Sequence, residues 1–296
     1  HWTYIEMVKM NNTTSKKCAA LYNHTHIRPG GKVYPCCRFK KQLMDFDGNF
    51  DNVLHSKEYV ELRERFEKEE IPECQKCWDL ENAGIQSERQ VFNEKWNCDE
   101  IKLRELWIGV DNLCNLKCVM CNKEYSNQFT GEVLFTKAIK NIPDIEKMVF
   151  LGGEPLMNEK YFRLLRQMNR SILHLTIITN GMFKLQDKWK ELLRECKHVV
   201  FFVSIDACGE LCERVREGSK WETVVETVED LETEWPVTIN TVIHKDNVKG
   251  IDDLKKWIDK RPWQINILTF PTHLRVSSDD KQRITRNFNQ YFTYTI

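Results

Sequence analysis

Three cysteines lie close together in the segment VDNLCNLKCVMCNKEYSNQF, which covers residues 110–129. Cys114, Cys118 and Cys121 follow a Cys-x3-Cys-x2-Cys spacing. Structural zinc sites and fully ligated cubane clusters use four protein ligands. Three thiolates can hold three irons of a four-iron, four-sulfur cube and leave the fourth iron open, as a catalytic metal site does. A zinc site completed by a histidine or another cysteine remains the alternative.

A second set of cysteines lies nearer the amino terminus. Cys18, Gly31 and Cys36 follow a Cys-x12-Gly-x4-Cys spacing, and Cys74 and Cys77 follow as Cys-x2-Cys. Four cysteines can ligate a second cube completely. Thiolate spacing does not exclude a four-cysteine zinc site here.

Length and composition limit the class of protein. The 296 residues include 44 basic and 44 acidic side chains, and this balance argues against a nucleic-acid-binding protein, which usually carries a basic excess. No apolar run reaches the roughly 18 residues that a membrane span needs. Twelve cysteines at short, clustered spacings fit metal or iron–sulfur ligands in a reducing compartment, so we expect a cytoplasmic protein without a membrane partner.

Strand-like and helix-like runs alternate from about residue 103 onward. The six strand-like runs are Glu105–Asn112, Lys147–Gly153, His174–Gly181, His198–Ala207, Pro236–Lys245 and Gln264–Pro271. Helical periodicity marks the intervening segments NEKYFRLLRQMNR, DKWKELLREC and IDDLKKWIDK. This alternation predicts an α/β fold with a parallel sheet, either a partial (β/α)6 TIM-type barrel or an open doubly wound sheet.

Short polar motifs follow the first four of these strands. The cysteine segment follows the first, GGEP (152–155) ends the second, TNG (179–181) ends the third, and SIDA (204–207) ends the fourth. Because parallel α/β sheets place their chemistry at the carboxyl ends of the strands, we expect the four motifs to lie together.

The first hundred residues have a different character. HTHIRPGGKVYPCC predicts a hairpin with Gly30 and Gly31 at its turn. SKEYVELRERFEKEE predicts a charged helix. We therefore place a domain boundary near residues 98–102. The predicted domains are a cysteine-rich domain over 1–102, a partial barrel over 103–275 and a carboxy-terminal extension over 276–296.

Together, the ordered motifs resemble the radical S-adenosylmethionine (SAM) superfamily over roughly residues 103–271. The resemblance implies that Cys114, Cys118 and Cys121 ligate a 4Fe–4S cluster and that SAM chelates its open iron. It also implies reductive cleavage of SAM to a 5′-deoxyadenosyl radical, which removes a hydrogen atom from a substrate. The SAM-binding residues it implies are Gly152, Gly153, Glu154, Pro155, Thr179, Asn180, Ser204, Asp206 and Arg216.

Individual roles follow from the same resemblance. Glu154 would bind the SAM amino group, Ser204 and Asp206 the ribose and carboxylate, and Arg216 the SAM carboxylate. Met120 departs from the aromatic residue that the superfamily often has before the third cysteine. Taken singly, these residues have ordinary alternatives: a solvated turn carboxylate for Glu154 or Asp206, and a surface position for Arg216.

The amino-terminal cysteines resemble the SPASM/twitch auxiliary-cluster domain, although that domain normally follows the barrel. The resemblance implies a second 4Fe–4S cluster on Cys18, Cys36, Cys74 and Cys77, with Cys36 favoured over Cys37 by the Gly-x4-Cys spacing. We expect this domain to lie over the barrel mouth and to pass electrons or close the substrate site. Partners would be a flavodoxin- or ferredoxin-like reductant and either a peptide or protein substrate (RiPP-maturase-like) or a small molecule such as a sugar or nucleotide derivative. A non-catalytic zinc or iron–sulfur module is the alternative of another class.

The remaining candidates give weaker signals. Cys208 and Cys212 lie four residues apart at a predicted helix start, which fits either a redox role or simple packing. Cys98 and Cys196 are interpreted as packing residues. His244, just past the fifth strand, is a candidate active-site group or a surface histidine.

Overall fold

The computed structural model describes residues 17–68, 71–269 and 271–291. The strands are β1 (His24–Arg28), β2 (Lys32–Tyr34), β3 (Met44–Asp45), β4 (Glu105–Ile108), β5 (Lys117–Cys118), β6 (Lys147–Phe150), β7 (His174–Thr179), β8 (His198–Ser204), β9 (Arg216–Glu217), β10 (Val237–Ile243) and β11 (Trp263–Ile267). The α-helices are α1 (Ala20–Asn23), α2 (Lys57–Lys68), α3 (Gln75–Asn82), α4 (Glu88–Lys95), α5 (Glu159–Arg166), α6 (Asp187–Arg194), α7 (Gly209–Val215), α8 (Trp221–Glu232), α9 (Ile251–Ile258) and α10 (Ser278–Phe288).

Within the described residues, nine strands form one sheet in the order β11-β10-β8-β7-β6-β4-β1-β2-β3. All neighbours from β11 to β1 pair in parallel, and β2 and β3 continue the sheet antiparallel. The order is linear, so β11 and β3 are edges and the sheet is a partial barrel, as the sequence predicts. A second sheet pairs β5 with β9.

The two faces of the sheet differ in burial. In β7, β8, β10 and β11 one residue in two is fully buried, and these residues share a core with the apolar faces of the helices. The alternate residues, such as Phe202, Asn240 and Asn266, face the other side and are half-buried. This period of two is why the strands could be recognised in the sequence, and it makes the second face the interior of the partial barrel.

The sequence-based elements agree with the structure except in the first unit. All six predicted strands are present with shorter ends, and α5, α6 and α9 lie in the predicted helical segments. Phe270, inside the last predicted strand, lies outside the described residues. The connection over 109–146 contains no α-helix, only a short 3-10 turn at Asn127–Phe129 and the small strand β5. Side chain–backbone hydrogen bonds organise this segment instead, so the first strand of the partial barrel is followed by a loop and not by an α-helix.

The amino-terminal hairpin is part of the same sheet. Gly30 and Gly31 turn the chain with φ of 81° and 80°, as predicted. β1 pairs in parallel with β4, with His24 opposite Glu105 and Ile27 opposite Ile108. Ile27 belongs to the same core as the barrel strands. Residues before the predicted boundary near 98–102 therefore extend the barrel sheet.

In the described part of the chain, no helix is both long and apolar enough to cross a membrane.

Candidate functional site

The cysteine loop that follows β4 is held by polar side chains bonded to its backbone. Asn112 Nδ2 donates to the Lys123 carbonyl at 2.8 Å, and Ser126 Oγ donates to the Leu116 carbonyl at 2.7 Å. Asn127 Oδ1 accepts from the Cys114 amide at 2.9 Å. Sequence reasoning missed these three residues. Their signal was the density of Asn and Ser after a strand, because such side chains commonly bond local backbone.

The three cysteines of this loop gather in one small apolar cluster. Cys114 and Cys118 are buried and Cys121 is half-buried, with Leu116, Met120 and Met182 packed around them. All three are free thiols. Burial raises the pKa of Cys114 and of Cys121 to about 11, so the free thiols are protonated at neutral pH. Metal ligation deprotonates such thiols, and a set of three sulfurs in apolar surroundings fits an iron–sulfur cluster.

The pairing of β5 with β9 brings Arg216 to Cys118. The two residues are register partners, and Arg216 Nη1 lies 4.0 Å from Cys118 Sγ. Arg216 is 8% exposed, and its Nη2 lies 2.7 Å from Asp206 Oδ2. The surface alternative for Arg216 and the solvated alternative for Asp206 are therefore wrong. Both groups are buried beside the cysteine loop.

The GGEP segment packs directly onto the cysteine loop. The Gly153 amide donates to the Tyr125 carbonyl at 3.1 Å, and the Glu154 amide donates to the Leu113 carbonyl at 2.8 Å. A Cβ on Gly153 would lie 2.3 Å from the Leu113 carbonyl oxygen. Glycine is therefore required at Gly153 by close approach of two backbones as well as by a φ of 45°.

Replacing Gly153 with alanine is expected to displace the cysteine loop. Gly131→Ala is the matched control, because Gly131 also has positive φ (74°) but its added Cβ would have no atom within 4 Å. We expect Gly153→Ala to lower the free energy of unfolding by about 2 kcal/mol more than Gly131→Ala. We also expect it to reduce iron bound after anaerobic reconstitution. Chemical denaturation and iron analysis measure both, and equal behaviour of the two variants would contradict this account.

Glu154 joins the ends of the second and third strands of the predicted barrel. Its carboxylate accepts from Thr179 Oγ1 at 2.8 Å, from the Asn180 amide at 2.7 Å and from the Leu156 amide at 3.0 Å. Asn180 Nδ2 in turn lies 3.9 Å from Cys114 Sγ. Burial outweighs these hydrogen bonds and raises the pKa of Glu154 to about 7. A cationic group beside Glu154 would favour its carboxylate form.

Several buried polar atoms around Asp206 have no protein partner in the described residues. They include Arg216 Nε, Ser219 Oγ and His244 Nε2. His244 is fully buried, so its surface interpretation is wrong, and its Nδ1 accepts from the Asp246 amide at 3.3 Å. Unpaired buried polar atoms are costly, and a ligand rich in hydrogen-bonding groups would satisfy them.

The other predicted site residues lie at the same edge of the sheet. Pro155 is buried at the start of a 3-10 turn, and Ser204 is half-buried at the end of β8. Gly152 has a φ of 79° and lies against Pro29 of the hairpin. Of the two extra cysteines, Cys212 is fully buried and Cys208 is half-buried in the helix α7 region.

The four amino-terminal cysteines line one cavity. Cys18, Cys36, Cys74 and Cys77 surround it together with Phe39, Phe66, Phe92, Arg38 and Arg89, among others. The space among the lining residues is about 340 Å³, including the part open to solvent. Cys37 does not line it. Four thiols around one cavity fit the donor set of a fully ligated cluster. No group of three or more His, Cys, Asp or Glu in the described ranges is arranged to hold a single metal ion.

The cavity lies at the amino-terminal edge of the sheet, opposite the cysteine loop. Cys18 precedes β1, which runs parallel to β4, and Cys36 follows β2, which runs back antiparallel. Phe92 lines the cavity and contacts His24 at the start of β1, with ring centroids 4.8 Å apart. The expectation that this domain covers the barrel mouth is therefore wrong for its cysteines. The hairpin itself does reach the mouth, where Pro29 lies against Gly109 and Gly152.

Single replacements should distinguish Cys36 from Cys37. If Cys36 is a ligand, Cys36→Ala should retain about four irons after reconstitution, and Cys37→Ala should retain about eight. Iron and sulfide analysis of purified protein measures this. Cys37→Ala is the matched control, and the reverse pattern would assign Cys37 as the ligand.

Two protein-family models match the chain. The model of the radical SAM superfamily matches residues 110–258, which is about half of the chain. A model described as an iron–sulfur cluster-binding domain, SPASM, matches residues 18–78.

Curated relatives and solved structures also match. A tungsten-containing aldehyde ferredoxin oxidoreductase cofactor-modifying protein of Pyrococcus furiosus is 25% identical over 172 residues, covering 53% of this chain and 48% of the relative. A GTP 3′,8-cyclase of Clostridium perfringens is 31% identical over 176 residues, which cover 55% of this chain and 54% of the relative. The chain thus spans about half the length of these relatives. A structure described as native anSMEcpe with bound AdoMet is 17% identical with a TM-score of 0.49, covering 64% of this chain and 60% of that one. A structure of Streptococcus suis SuiB bound to precursor peptide SuiA is 15% identical with a TM-score of 0.46, and the match covers 86% of this chain and 56% of SuiB.

Proposed function

This chain belongs to the radical SAM superfamily, and from that premise we propose that it reductively cleaves SAM and uses the product to abstract a hydrogen atom from a substrate. Its cofactors are SAM and a 4Fe–4S cluster, together with the auxiliary cluster of the SPASM domain. When bound, the reduced cluster and SAM supply a 5′-deoxyadenosyl radical. The observation that carries the proposal is the set of three free thiols, Cys114, Cys118 and Cys121, in one apolar cluster beside Glu154 and Arg216.

The residues of this chain have separate tasks in the proposal. The three thiols hold the cluster and leave one position open. Glu154 and Asn180 bind the amino-acid part of SAM through the carboxylate and amide that already lie beside Cys114. Asp206, Arg216 and His244 provide the buried polar groups for its remaining oxygens and nitrogens. Leu116, Met120 and Met182 exclude water from the thiols.

The domain division and the auxiliary ligands are also proposals. We retain a cysteine-rich part over 1–102, a barrel over 103–275 and an extension over 276–296. Residues 1–16 and 292–296 lie outside the described structure. The cavity supports Cys18, Cys36, Cys74 and Cys77 as ligands of the auxiliary cluster.

A substrate that is a peptide or protein is our first proposal, and a nucleotide derivative is the second. The second is kept because relatives at 25–31% identity include GTP 3′,8-cyclases. A flavodoxin- or ferredoxin-like protein would supply the electron.

The test is direct. Anaerobically reconstituted protein should contain about eight irons, and after chemical reduction with SAM it should release 5′-deoxyadenosine and methionine in equal amounts. Liquid chromatography with mass spectrometry measures both products. Methionine without 5′-deoxyadenosine would mean a different cleavage, and a zinc-containing, colourless protein would point to a non-catalytic module.

A further inference from the structure

Arg28 is a half-buried arginine on the inner face of the sheet. His26 and Arg28 of β1 point to the same side as Trp107, because His26 is the register partner of Trp107 and side chains alternate along a strand. The Arg28 guanidinium lies over the Tyr34 ring, 3.8 Å from its centroid. Its Nε is enclosed and has no hydrogen-bond partner among the described residues. Among residues 17–68, 71–269 and 271–291, no Asp or Glu forms an ion pair with Arg28.

The surroundings of Arg28 connect it to the cysteine loop. Pro29, the next residue of the hairpin, lies against Gly152, and the adjacent Gly153 amide donates to the Tyr125 carbonyl of the cysteine loop at 3.1 Å. Tyr125 lies four residues after Cys121. The neighbouring acid in this loop, Glu124, pairs instead with Lys32 at 3.6 Å.

The surroundings of Arg28 differ from those of two other cations near the cysteine loop, Lys32 and Arg216. Lys32 is the register partner of Arg28 on the same hairpin face, and it has Glu124. Arg216 has Asp206. Enclosing a charge without a partner is unfavourable, and arginine held flat on an aromatic ring is well oriented for bidentate contact with an anion. The arrangement therefore calls for an anion that the described chain does not itself provide.

We propose that Arg28 binds a single carboxylate group of the substrate on the inner face of the barrel, next to the cysteine loop. The inference rests on the proposed function and deepens it by favouring a peptide with an acidic side chain or a free carboxyl terminus over a nucleoside triphosphate. A triphosphate needs several cations. The half-buried inner-face residues of β7, β8, β10 and β11 include Thr176, Phe202, Ser204, Asn240 and Asn266, which are uncharged.

His26 adds a neutral polar group to the same subsite. It is 5% exposed, and neither ring nitrogen has a hydrogen-bond partner in the part of the chain that the structure describes. Burial, and to a smaller extent the positive charge of Arg28, lowers the pKa of His26 to about 3, so its ring is neutral. A neutral imidazole adds no second charge, in keeping with a monovalent anion.

The test uses reconstituted protein and two small probes of nearly equal shape. N-acetyl-glutamate α-amide carries one carboxylate, and N-acetyl-glutamine amide replaces it with a neutral group. Saturation-transfer NMR measures their dissociation constants with SAM present. We expect the glutamate probe to bind at least about tenfold more tightly than the glutamine probe. Arg28→Gln should abolish this preference, and Arg28→Lys should retain part of it.

Lys32→Gln is the matched control, because Lys32 lies opposite Arg28 on the same hairpin but is already paired. It should keep the preference. Iron analysis gives the iron content of each variant, and calorimetry gives its affinity for SAM. Together they report whether the cluster and SAM site is intact. If Arg28→Gln weakens the binding of SAM by about tenfold and the preference for the glutamate probe survives, Arg28 binds the carboxylate of SAM. That result would overturn the proposal. No preference in the unaltered protein, or tighter binding of GTP that depends on Arg28, would also overturn it.

Binding of the probes does not require turnover. An unaltered protein that shows the probe preference but releases no 5′-deoxyadenosine would contradict the proposed function and leave the carboxylate subsite supported. The two failures are therefore distinguishable.

Discussion

Cys118→Ala protein is expected to release no 5′-deoxyadenosine above background under conditions in which the unaltered protein cleaves SAM. Cys118 lies on β5, where Arg216 is its register partner and contacts Asp206. Removing this thiol leaves the sulfurs of Cys114 and Cys121 for a cluster that needs three protein thiolates. The loop has no further cysteine that could replace it. Iron should fall from about eight to about four per chain, because the auxiliary site is separate.

The control must lose a cysteine without touching either cluster. Cys196 is half-buried, follows α6 and packs at the edge of the barrel core. Cys196→Ala should retain both SAM cleavage and iron. If Cys118→Ala still forms 5′-deoxyadenosine at the rate of this control, Cys118 is not a cluster ligand. If both variants lose iron equally, the effect is general instability.

The chemistry of the barrel could be predicted from sequence because it is local. The thiols lie within eight residues, and TNG and SIDA each end a strand whose burial alternates with period two. GGEP follows β6, whose last three residues are all buried. Parallel strand order then brings the motifs to one edge. The close contact of Gly153 with the Leu113 carbonyl explains why the GGEP motif has glycine at this position.

Features that depend on distant pairing could not be predicted. β1 joins β4 across about eighty residues of chain, and no local pattern specifies a parallel partner. That pairing sets the position of the auxiliary cysteines: Cys18 before β1 and Cys36 after β2 must lie at the amino-terminal edge. The burial of His244 and the position of Arg28 over the Tyr34 ring likewise depend on tertiary contacts.

The position of the cavity changes what is expected of the auxiliary cluster. Its proposed ligands lie at the opposite end of the strands from the cysteine loop, and Phe92, which lines the cavity, contacts His24 at the start of β1. The cysteines are also central to their own small core. Cys18 is buried with Phe39, Phe66 and Phe92, and Cys36 and Cys74 pack against them. A structural role therefore has more support than direct contact with substrate.

Replacing Cys74 and Cys77 together with serine is expected to destabilise the amino-terminal part of the chain. Cys77 is buried and Cys74 is half-buried, so each serine leaves a polar group in the apolar cluster and removes a metal bond. Small metal-containing modules depend on the metal for folding. We expect the two replacements to lower the free energy of local opening by about 1.4 kcal/mol or more, which raises the population of the open form at least about tenfold. Protease cleavage within residues 17–100 should become faster by the same factor than in unaltered protein.

Cys98→Ser is the matched control, because Cys98 packs against the same cluster but does not line the cavity. Two measurements are needed, since either role of the cluster would lower product formation. A structural role predicts rapid digestion of residues 17–100. It also predicts a lower rate of SAM cleavage, because the pairing of β1 with β4 would loosen. A protease-resistant variant that cleaves SAM normally but forms no product would support electron transfer instead, through the layer containing Phe92 and His24. Full product formation together with protease resistance would contradict both roles.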